Sequence, residues 1–180
     1  MSLRLGPQAC GTLEEAAKRE WLVADGVGGY AMGTVAGLRT RRYHGLLVVA
    51  VDGPGGRMMG LAALDPVLVS GDARFRLATD EWGNGAVDPR GNELLVSFDL
   101  EDGVPRWRWQ IGGILVEREI AMAHGSPTVW AATRWARSRD CARAATTGYS
   151  RSPSPRAASS RARTSRYQAP PACQPSPPTR

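Results

Sequence analysis

The 180-residue sequence is poor in lysine and cysteine, and it lacks any long apolar run. Lys18 is the only lysine, so arginine supplies nearly all of the positive charge. The three cysteines, at positions 10, 141 and 173, are too few and too scattered for a disulfide framework or a Cys-x-x-Cys metal site. The longest strongly apolar run, Leu46 to Val51, is far too short to span a bilayer. We therefore expect no bound metal and no membrane partner.

The N-terminal twenty residues contain no apolar segment of the kind that secretory signals carry. An odd number of scattered cysteines also fits a reducing compartment, in which thiols stay free. The lack of a secretory signal and the scattered cysteines together predict a cytoplasmic protein.

Acidic side chains are absent after Asp140, and this absence accounts for the net charge of +6. Seven of the 23 basic side chains are arginines that lie beyond that residue. The 16 that remain face 17 acidic side chains in the first 140 residues, which leaves a net charge of −1 there. A nucleic-acid-binding domain carries a basic face on its folded part, so we expect no nucleic-acid partner.

Residues 137–180 also contain almost no large apolar side chains and are rich in Arg, Pro, Ser and Ala. Such a segment buries too little surface to offset the entropy of ordering it, which predicts a disordered tail. Its origin is open between a natural low-complexity tail and a reading-frame shift in GC-rich coding DNA. The near-total use of arginine over lysine is consistent with GC-rich DNA.

Period-two alternation predicts strands through most of the chain before the tail. Trp107 and Trp109 alternate with Arg106 and Arg108, and similar patterns occupy 73–77, 94–101 and 114–122, where Arg118 interrupts the apolar side. Glycine-rich turns separate these segments, and the turn at Gly103 is typical of a hairpin. The pattern predicts a mostly β fold, an antiparallel two-sheet β-sandwich over residues 20–136. Residues 1–19 precede it, with Thr12 and Glu15 as the capping box of a short helix.

Glycines and polar side chains are concentrated between Glu20 and Leu47. The apolar segments 21–24 and 46–49 are typical of strands, so a long, glycine-shaped loop is predicted between them. Residues 26–31, GVGGYA, formally fit the G-x-G-x-x-[G/A] nucleotide fingerprint. That motif functions when it opens a helix, whereas the residues that follow are poor helix formers. We expect no nucleotide and no other cofactor.

The densest polar group in this loop runs from Arg39 to His44. One interpretation is a solvated basic turn that leads into the next strand. Another is a hydroxyl-binding edge, because Arg, Tyr and His side chains form hydrogen bonds with sugars. Phosphate or nucleic-acid binding has less support, since the folded part has no wider basic face.

Tryptophans and carboxylates offer two further interpretations. Trp82, Trp107, Trp109, Trp130 and Trp135 fit either a sugar-stacking platform or core packing, and alternation favours the core. Trp21 is expected beneath the glycine-rich loop.

A glycosidase needs two carboxylates across the scissile bond. Asp25, Asp80 and Glu81 are candidates, but the sequence singles out no pair and predicts no catalytic residue.

Residues 20–47, EWLVADGVGGYAMGTVAGLRTRRYHGLL, resemble the signature of the N-terminal domain of bacterial and archaeal glycogen debranching enzymes, the amylo-alpha-1,6-glucosidase type. The residues that carry this resemblance are 19–22, Gly26, 28–30, 33–37 and 40–47. The resemblance covers roughly the first two-thirds of the chain and ends where the tail begins. This coincidence favours the frame shift as the origin of the tail.

The resemblance implies a non-catalytic N-terminal module of an enzyme that hydrolyses alpha-1,6 branches in glycogen or limit dextrin. In that family the hydrolytic carboxylates belong to a C-terminal helical domain, so we expect this chain, which lacks such a domain, to be inactive alone. The loop 28–45 would lie against that domain and shape the substrate pocket, with the α-glucan contacted by Tyr30, Arg41, Arg42, Tyr43 and His44. The alternative is a stand-alone carbohydrate-binding or structural β-sandwich.

Overall fold

The computed structural model describes residues 2–51 and 55–137, and this part of the chain is mostly β. The predicted tail lies outside the described residues except for Arg137. In chain order the elements are β1 (Ser2–Leu5), α1 (Pro7–Cys10), α2 (Leu13–Ala17), β2 (Glu20–Ala24), β3 (Tyr30–Thr34), β4 (Gly45–Ala50), β5 (Arg57–Leu61), β6 (Val67–Ser70), β7 (Ala73–Arg76), β8 (Thr79–Glu81), β9 (Val87–Arg90), a 3-10 turn (Gly91–Leu94), β10 (Leu95–Glu101), β11 (Val104–Ile111), β12 (Ile114–Met122) and β13 (Val129–Arg137).

The predicted short helix is present as α2, and it begins at its predicted cap. The Thr12 hydroxyl accepts a hydrogen bond from the Glu15 N–H at 3.4 Å. The Glu15 carboxylate pairs with Lys18 and Arg19. The helix is therefore capped by its threonine, while its glutamate ties together the last turn and the residue before β2.

Two larger antiparallel sheets form the sandwich that alternation predicted. One has five strands in the order β1-β10-β11-β12-β13, and the other has four in the order β2-β3-β4-β5. The turn between β10 and β11 has positive φ at Asp102 (50°) and Gly103 (82°), which confirms the predicted hairpin. Two further antiparallel pairs, β6-β7 and β8-β9, accompany the two large sheets.

Aromatic side chains from both large sheets meet in the core. The Trp107 ring packs edge-on against Trp21 of β2 and against Phe98 of β10, with ring centroids 5.1 Å apart in each pair. Trp107 and Trp109 are 5% and 6% exposed, so core packing is confirmed for both. It is wrong for the three other tryptophans of the group, which are more than half exposed: Trp82, Trp130 and Trp135.

The predicted long loop between β2 and β4 contains an additional strand, β3. It pairs with β2 from Glu20↔Thr34 to Ala24↔Tyr30, so the chain reverses at once after Ala24. Gly33 lies opposite Trp21 in this pairing, and a Cβ there would be in van der Waals contact with the Trp21 ring at 3.4 Å. Part of the segment that suggested an open loop is thus a strand that passes close to an indole, and Trp21 lies beneath it as predicted.

Charged side chains cover the outer face of the five-stranded sheet, opposite Trp107 and Trp109. Glu117 of β12 accepts hydrogen bonds from Arg108 (2.6 Å) on one neighbouring strand and Arg134 (2.7 Å) on the other. Arg108 also pairs with Asp99 of β10. Burial raises the pKa of Glu117, but the hydrogen bonds from Arg134 and Arg108 outweigh it and hold that pKa below its ordinary value of 4.5.

This depressed pKa predicts how acid affects stability. A carboxyl whose folded pKa lies below its unfolded pKa stabilises the fold above about pH 4.5 and loses that contribution as the pH falls through the folded value. Glu117→Gln should lower the free energy of unfolding by about 1–3 kcal/mol at neutral pH. The difference from the native chain should shrink below about pH 4.5. Urea unfolding across this pH range measures both quantities.

Glu81→Gln is the matched control, because Glu81 is exposed on the short strand β8. It should change neither the stability nor its pH dependence. A Glu117→Gln curve that stays parallel to the native curve down to pH 3 would contradict the assignment.

Candidate functional site

The segment Val35–His44, called here the 35–44 loop, joins β3 to β4 and is fixed to both large sheets. The Val35 N–H donates to the Arg19 carbonyl at 2.8 Å. The Val35 carbonyl accepts from the Trp107 indole N–H at 3.0 Å, and the Thr34 carbonyl accepts from the Trp21 indole N–H at 3.2 Å. Two core tryptophans therefore hold the start of the loop by their polar atoms as well as support it by packing.

A tight turn follows this anchor. The Gly37 N–H donates to the Thr34 carbonyl at 3.0 Å, and the Thr34 hydroxyl donates to the Leu38 carbonyl at 2.9 Å. Gly37 has φ 93°, a conformation that favours glycine over residues with a side chain. Ala36 and Leu38 are both 5% exposed, so the two sides of the turn are buried in the core.

His44 is the last residue of the loop, and its side chain is buried beneath the loop backbone. It is 2% exposed, and its Nδ1 accepts a hydrogen bond from the Thr40 N–H at 3.1 Å. The His44 N–H donates to the Arg41 carbonyl at 3.1 Å. Its Nε2 lies 3.5 Å from Oε1 of Glu20 and has no hydrogen-bond partner among the described residues. The imidazole thus orders the loop backbone from a buried position.

The solvent side of the loop carries the arginines. Arg41 Nε lies 2.7 Å from Glu20 Oε1, and the Arg41 side chain is still 65% exposed. The Arg42 guanidinium lies 5.3 Å from the centroid of the half-buried Tyr43 ring, a cation–π distance. Arg39 pairs with Asp80 of β8. The loop therefore presents exposed arginines and a half-buried tyrosine on a base that is held by hydrogen bonds.

The structure groups four of the five predicted contact residues and places the fifth elsewhere. Residues 41–44 are contiguous at the end of the loop, next to Gly45, which pairs with Met32. Tyr30 lies two residues before Met32 in β3 and pairs with Val48. It is therefore about 7 Å from Met32 along the strand. The assignment of these five residues to substrate contact stays a prediction.

Tyr30 instead follows a tight turn built on Asp25. One carboxylate oxygen of Asp25, Oδ1, accepts hydrogen bonds from the N–H groups of Val27 and Gly29, each at 2.8 Å. The Gly125 N–H of the β12–β13 turn donates to the Asp25 carbonyl at 2.7 Å, and His124 of that same turn lies against Gly26. The glycine-rich run is thus a hairpin turn and opens no helix, as expected.

The three candidate carboxylates have different surroundings. Asp25 is 1% exposed and caps its turn, Asp80 pairs with Arg39, and Glu81 is exposed. Sequence reasoning missed Glu20, whose carboxylate lies between Arg41 and His44. Glu20 reaches this position through the pairing of β2 with β3, and a local sequence pattern does not predict such a pairing.

The described part of the chain, residues 2–51 and 55–137, contains no group of three His, Cys, Asp or Glu side chains arranged to hold a metal ion. Within the same residues, no helix is long and apolar enough to cross a membrane.

A family model described as glycogen debranching enzyme N terminal matches residues 19–145, which is more than half of the chain and includes the 35–44 loop. No curated protein and no solved structure matches the chain significantly.

Proposed function

Since this chain belongs to the family of glycogen debranching enzyme N-terminal domains, we propose that it is a non-catalytic glucan-recognition module. In this proposal the 35–44 loop contributes to the substrate pocket of an enzyme that hydrolyses alpha-1,6 branches in glycogen or limit dextrin. The observation that carries it is the construction of the loop, whose base is held by two core indoles while Arg41, Arg42 and Tyr43 reach its surface.

The chemistry of the loop suits a polyhydroxyl ligand. Guanidinium groups donate several hydrogen bonds and the tyrosine hydroxyl both donates and accepts, so sugar hydroxyls find partners of both kinds. The half-buried Tyr43 ring, with Arg42 over it, offers an aromatic surface near those donors. Because the backbone is already fixed by hydrogen bonds, little conformational entropy is lost when a ligand binds.

Exposed apolar side chains support a second part of the proposal, that the module packs against a helical catalytic domain. Leu22, Met58, Val67 and Val69 are each at least half exposed. Exposed apolar side chains of this size are candidates for an interface where they adjoin one another on the surface. We place this assembly in the cytoplasm, in keeping with the few, scattered cysteines of the sequence.

Glycogen retardation in native gels tests the recognition proposal. The chain should migrate more slowly as glycogen is added to the gel, and the double variant Arg42→Ala/Tyr43→Ala should lose about tenfold in affinity. Arg74→Ala is the matched control, because Arg74 is an exposed arginine on β7 outside the loop, and its affinity should stay unchanged. Equal retardation of the double variant and the native chain would move the glucan site away from this loop.

The non-catalytic part of the proposal has its own measurement. Purified chain incubated with an alpha-1,6-branched limit dextrin should release no glucose. Glucose release that survives further purification would contradict it.

A stand-alone carbohydrate-binding or structural sandwich is the second candidate. It is favoured by the ion pairs Arg41–Glu20 and Arg39–Asp80, which join loop arginines to acids of this same chain. If the isolated chain binds glucan and added catalytic domain leaves that affinity unchanged, the result supports the stand-alone sandwich.

A further inference from the structure

A cavity of about 90 Å³ lies between the two large sheets, beneath the base of the 35–44 loop. Its walls are mostly apolar and aromatic, with Trp21, Trp107, Trp109 and Ile120 among the lining residues. This volume holds several water molecules or a small organic ion. Residues 62–66 also line this cavity.

Arg39 and Arg118 are the two basic residues of the described chain that line this cavity. Arg39 is already paired with Asp80, whereas Arg118 reaches the cavity from inside the core. It lies on the inner face of β12 between Val116 and Ile120, which are each 2% exposed, and Arg118 itself is 8% exposed. Its strand partners are Trp107 on β11 and Thr133 on β13, so an indole flanks it on the cavity side. The interruption that the sequence showed on the apolar side of β12 is thus a guanidinium in the sandwich interior.

Two nitrogens of Arg118, Nε and Nη2, are buried and have no hydrogen-bond partner among the described residues. The outer-face arginines of the same sheet, Arg106, Arg108 and Arg134, each hydrogen-bond a carboxylate. An unpaired buried charge is costly, and buried charges in proteins are therefore normally paired. Among the described residues, Arg118 is the buried arginine of this sheet that has no such partner.

Asp65 is the acidic residue whose charge acts on the pKa of this guanidinium. Burial lowers the pKa of Arg118, and the charge of Asp65 partly opposes that shift. Asp65 lines the same cavity but is exposed, and it forms no ion pair with Arg118. The structure therefore leaves these two nitrogens without a partner in a residue that lines the cavity.

We propose that the cavity is a binding site for a small organic monocarboxylate whose two oxygens accept hydrogen bonds from Nε and Nη2 of Arg118. These two nitrogens form one edge of the planar guanidinium, and that edge matches a carboxylate in bidentate geometry. The apolar remainder of the ligand lies against the indole rings of the cavity wall. This site is separate from the glucan contacts proposed above, and it does not depend on them.

Thermal unfolding of the full chain in a series of sodium butyrate concentrations tests the site, with sodium chloride holding the ionic strength constant. Butyrate that binds the folded chain should raise the midpoint Tm by several degrees in a concentration-dependent manner. Arg118→Met replaces the charge with an apolar chain of similar length, so it should start at a higher Tm and show no butyrate-dependent rise. Arg118→Lys keeps the charge without the planar edge and should need at least about tenfold more butyrate.

Three controls separate this site from other effects. Arg74→Met removes an exposed arginine and should retain the full rise. Glucose at equal concentration should produce no Arg118-dependent rise. Asp65→Asn should keep the butyrate response, because Asp65 does not occupy the guanidinium edge.

Each contrary result overturns the proposal. These results are an unchanged Tm in the native chain, an equal rise in Arg118→Met, and a rise with glucose in place of butyrate. A response confined to Asp65→Asn would identify Asp65 as the native partner of Arg118 and would overturn the proposal as well.

Discussion

Replacing Trp107 with alanine should lower the free energy of unfolding by about 3–5 kcal/mol, the largest loss expected of any single substitution considered for this chain. Trp107 is 5% exposed and contacts the rings of Trp21 and Phe98, so its removal leaves a cavity where the two sheets meet. It also removes the indole N–H that donates to the Val35 carbonyl. Urea unfolding followed by circular dichroism measures the loss.

Trp130→Ala is the matched control, because Trp130 is also a strand tryptophan but is 65% exposed. It should change the free energy of unfolding by less than about 0.5 kcal/mol. If Trp107→Ala unfolds at the same urea concentration as Trp130→Ala, the sheets do not pack through this residue.

Trp107→Phe separates packing from loop anchoring. The phenyl ring fills much of the indole space but has no N–H, so the Val35 carbonyl loses its donor, at a cost of about 1–3 kcal/mol. Glucan affinity should fall in Trp107→Phe more than in Trp130→Ala if the anchored loop is the binding element. Equal affinities would show that the loop needs no indole anchor.

The alternation of Trp107 and Trp109 with Arg106 and Arg108 predicted both faces of β11 correctly. A strand directs successive side chains to opposite faces, so the tryptophans had to share one side and the arginines the other. The same argument placed Arg118 on the apolar face of β12, although it gave no reason for a charge there. Local periodicity therefore predicted the faces of β11 and β12. It was wrong at the start of β10, where an irregularity between Leu95 and Ser97 puts Leu95, and not Val96, on the tryptophan face.

Periodicity could not show which part of a face would be covered. Trp135 pairs with Val116, yet Trp135 is 65% exposed and Val116 is 2% exposed. The difference arises because β13 is the edge strand of its sheet. Coverage of a strand depends on how far the opposing sheet extends, and that is a property of tertiary structure.

The candidate site shows the same division between local and distant information. Arg41, Arg42, Tyr43 and His44 are grouped because they are consecutive in sequence. Glu20 joins them only through the pairing of β2 with β3. The burial of His44 likewise depends on the turn that its Nδ1 organises, so sequence identified the segment but not which of its side chains face solvent.

Asp25→Ala should be the second most destabilising change, with an expected loss of about 2–4 kcal/mol in the free energy of unfolding. Asp25 is 1% exposed, and its Oδ1 accepts hydrogen bonds from two backbone N–H groups, those of Val27 and Gly29. Alanine leaves the buried Gly29 N–H without this acceptor, which costs more than the hydrogen bond itself contributes. Asp25→Asn keeps an oxygen acceptor and should lose only part of this free energy.

Asp72→Ala is the control, because Asp72 is an exposed aspartate in the β6–β7 turn. Urea unfolding should separate the two alanine variants clearly, and hydrogen exchange should show faster exchange of the Val27 and Gly29 amides only in Asp25→Ala. Unchanged exchange at both amides would contradict the capping role.

Tyr30 directly follows this turn, so a glucan contact through Tyr30 predicts that Asp25→Ala weakens glycogen retardation while Asp72→Ala leaves it intact. Retardation that survives in Asp25→Ala would restrict the glucan contacts to residues 41–44.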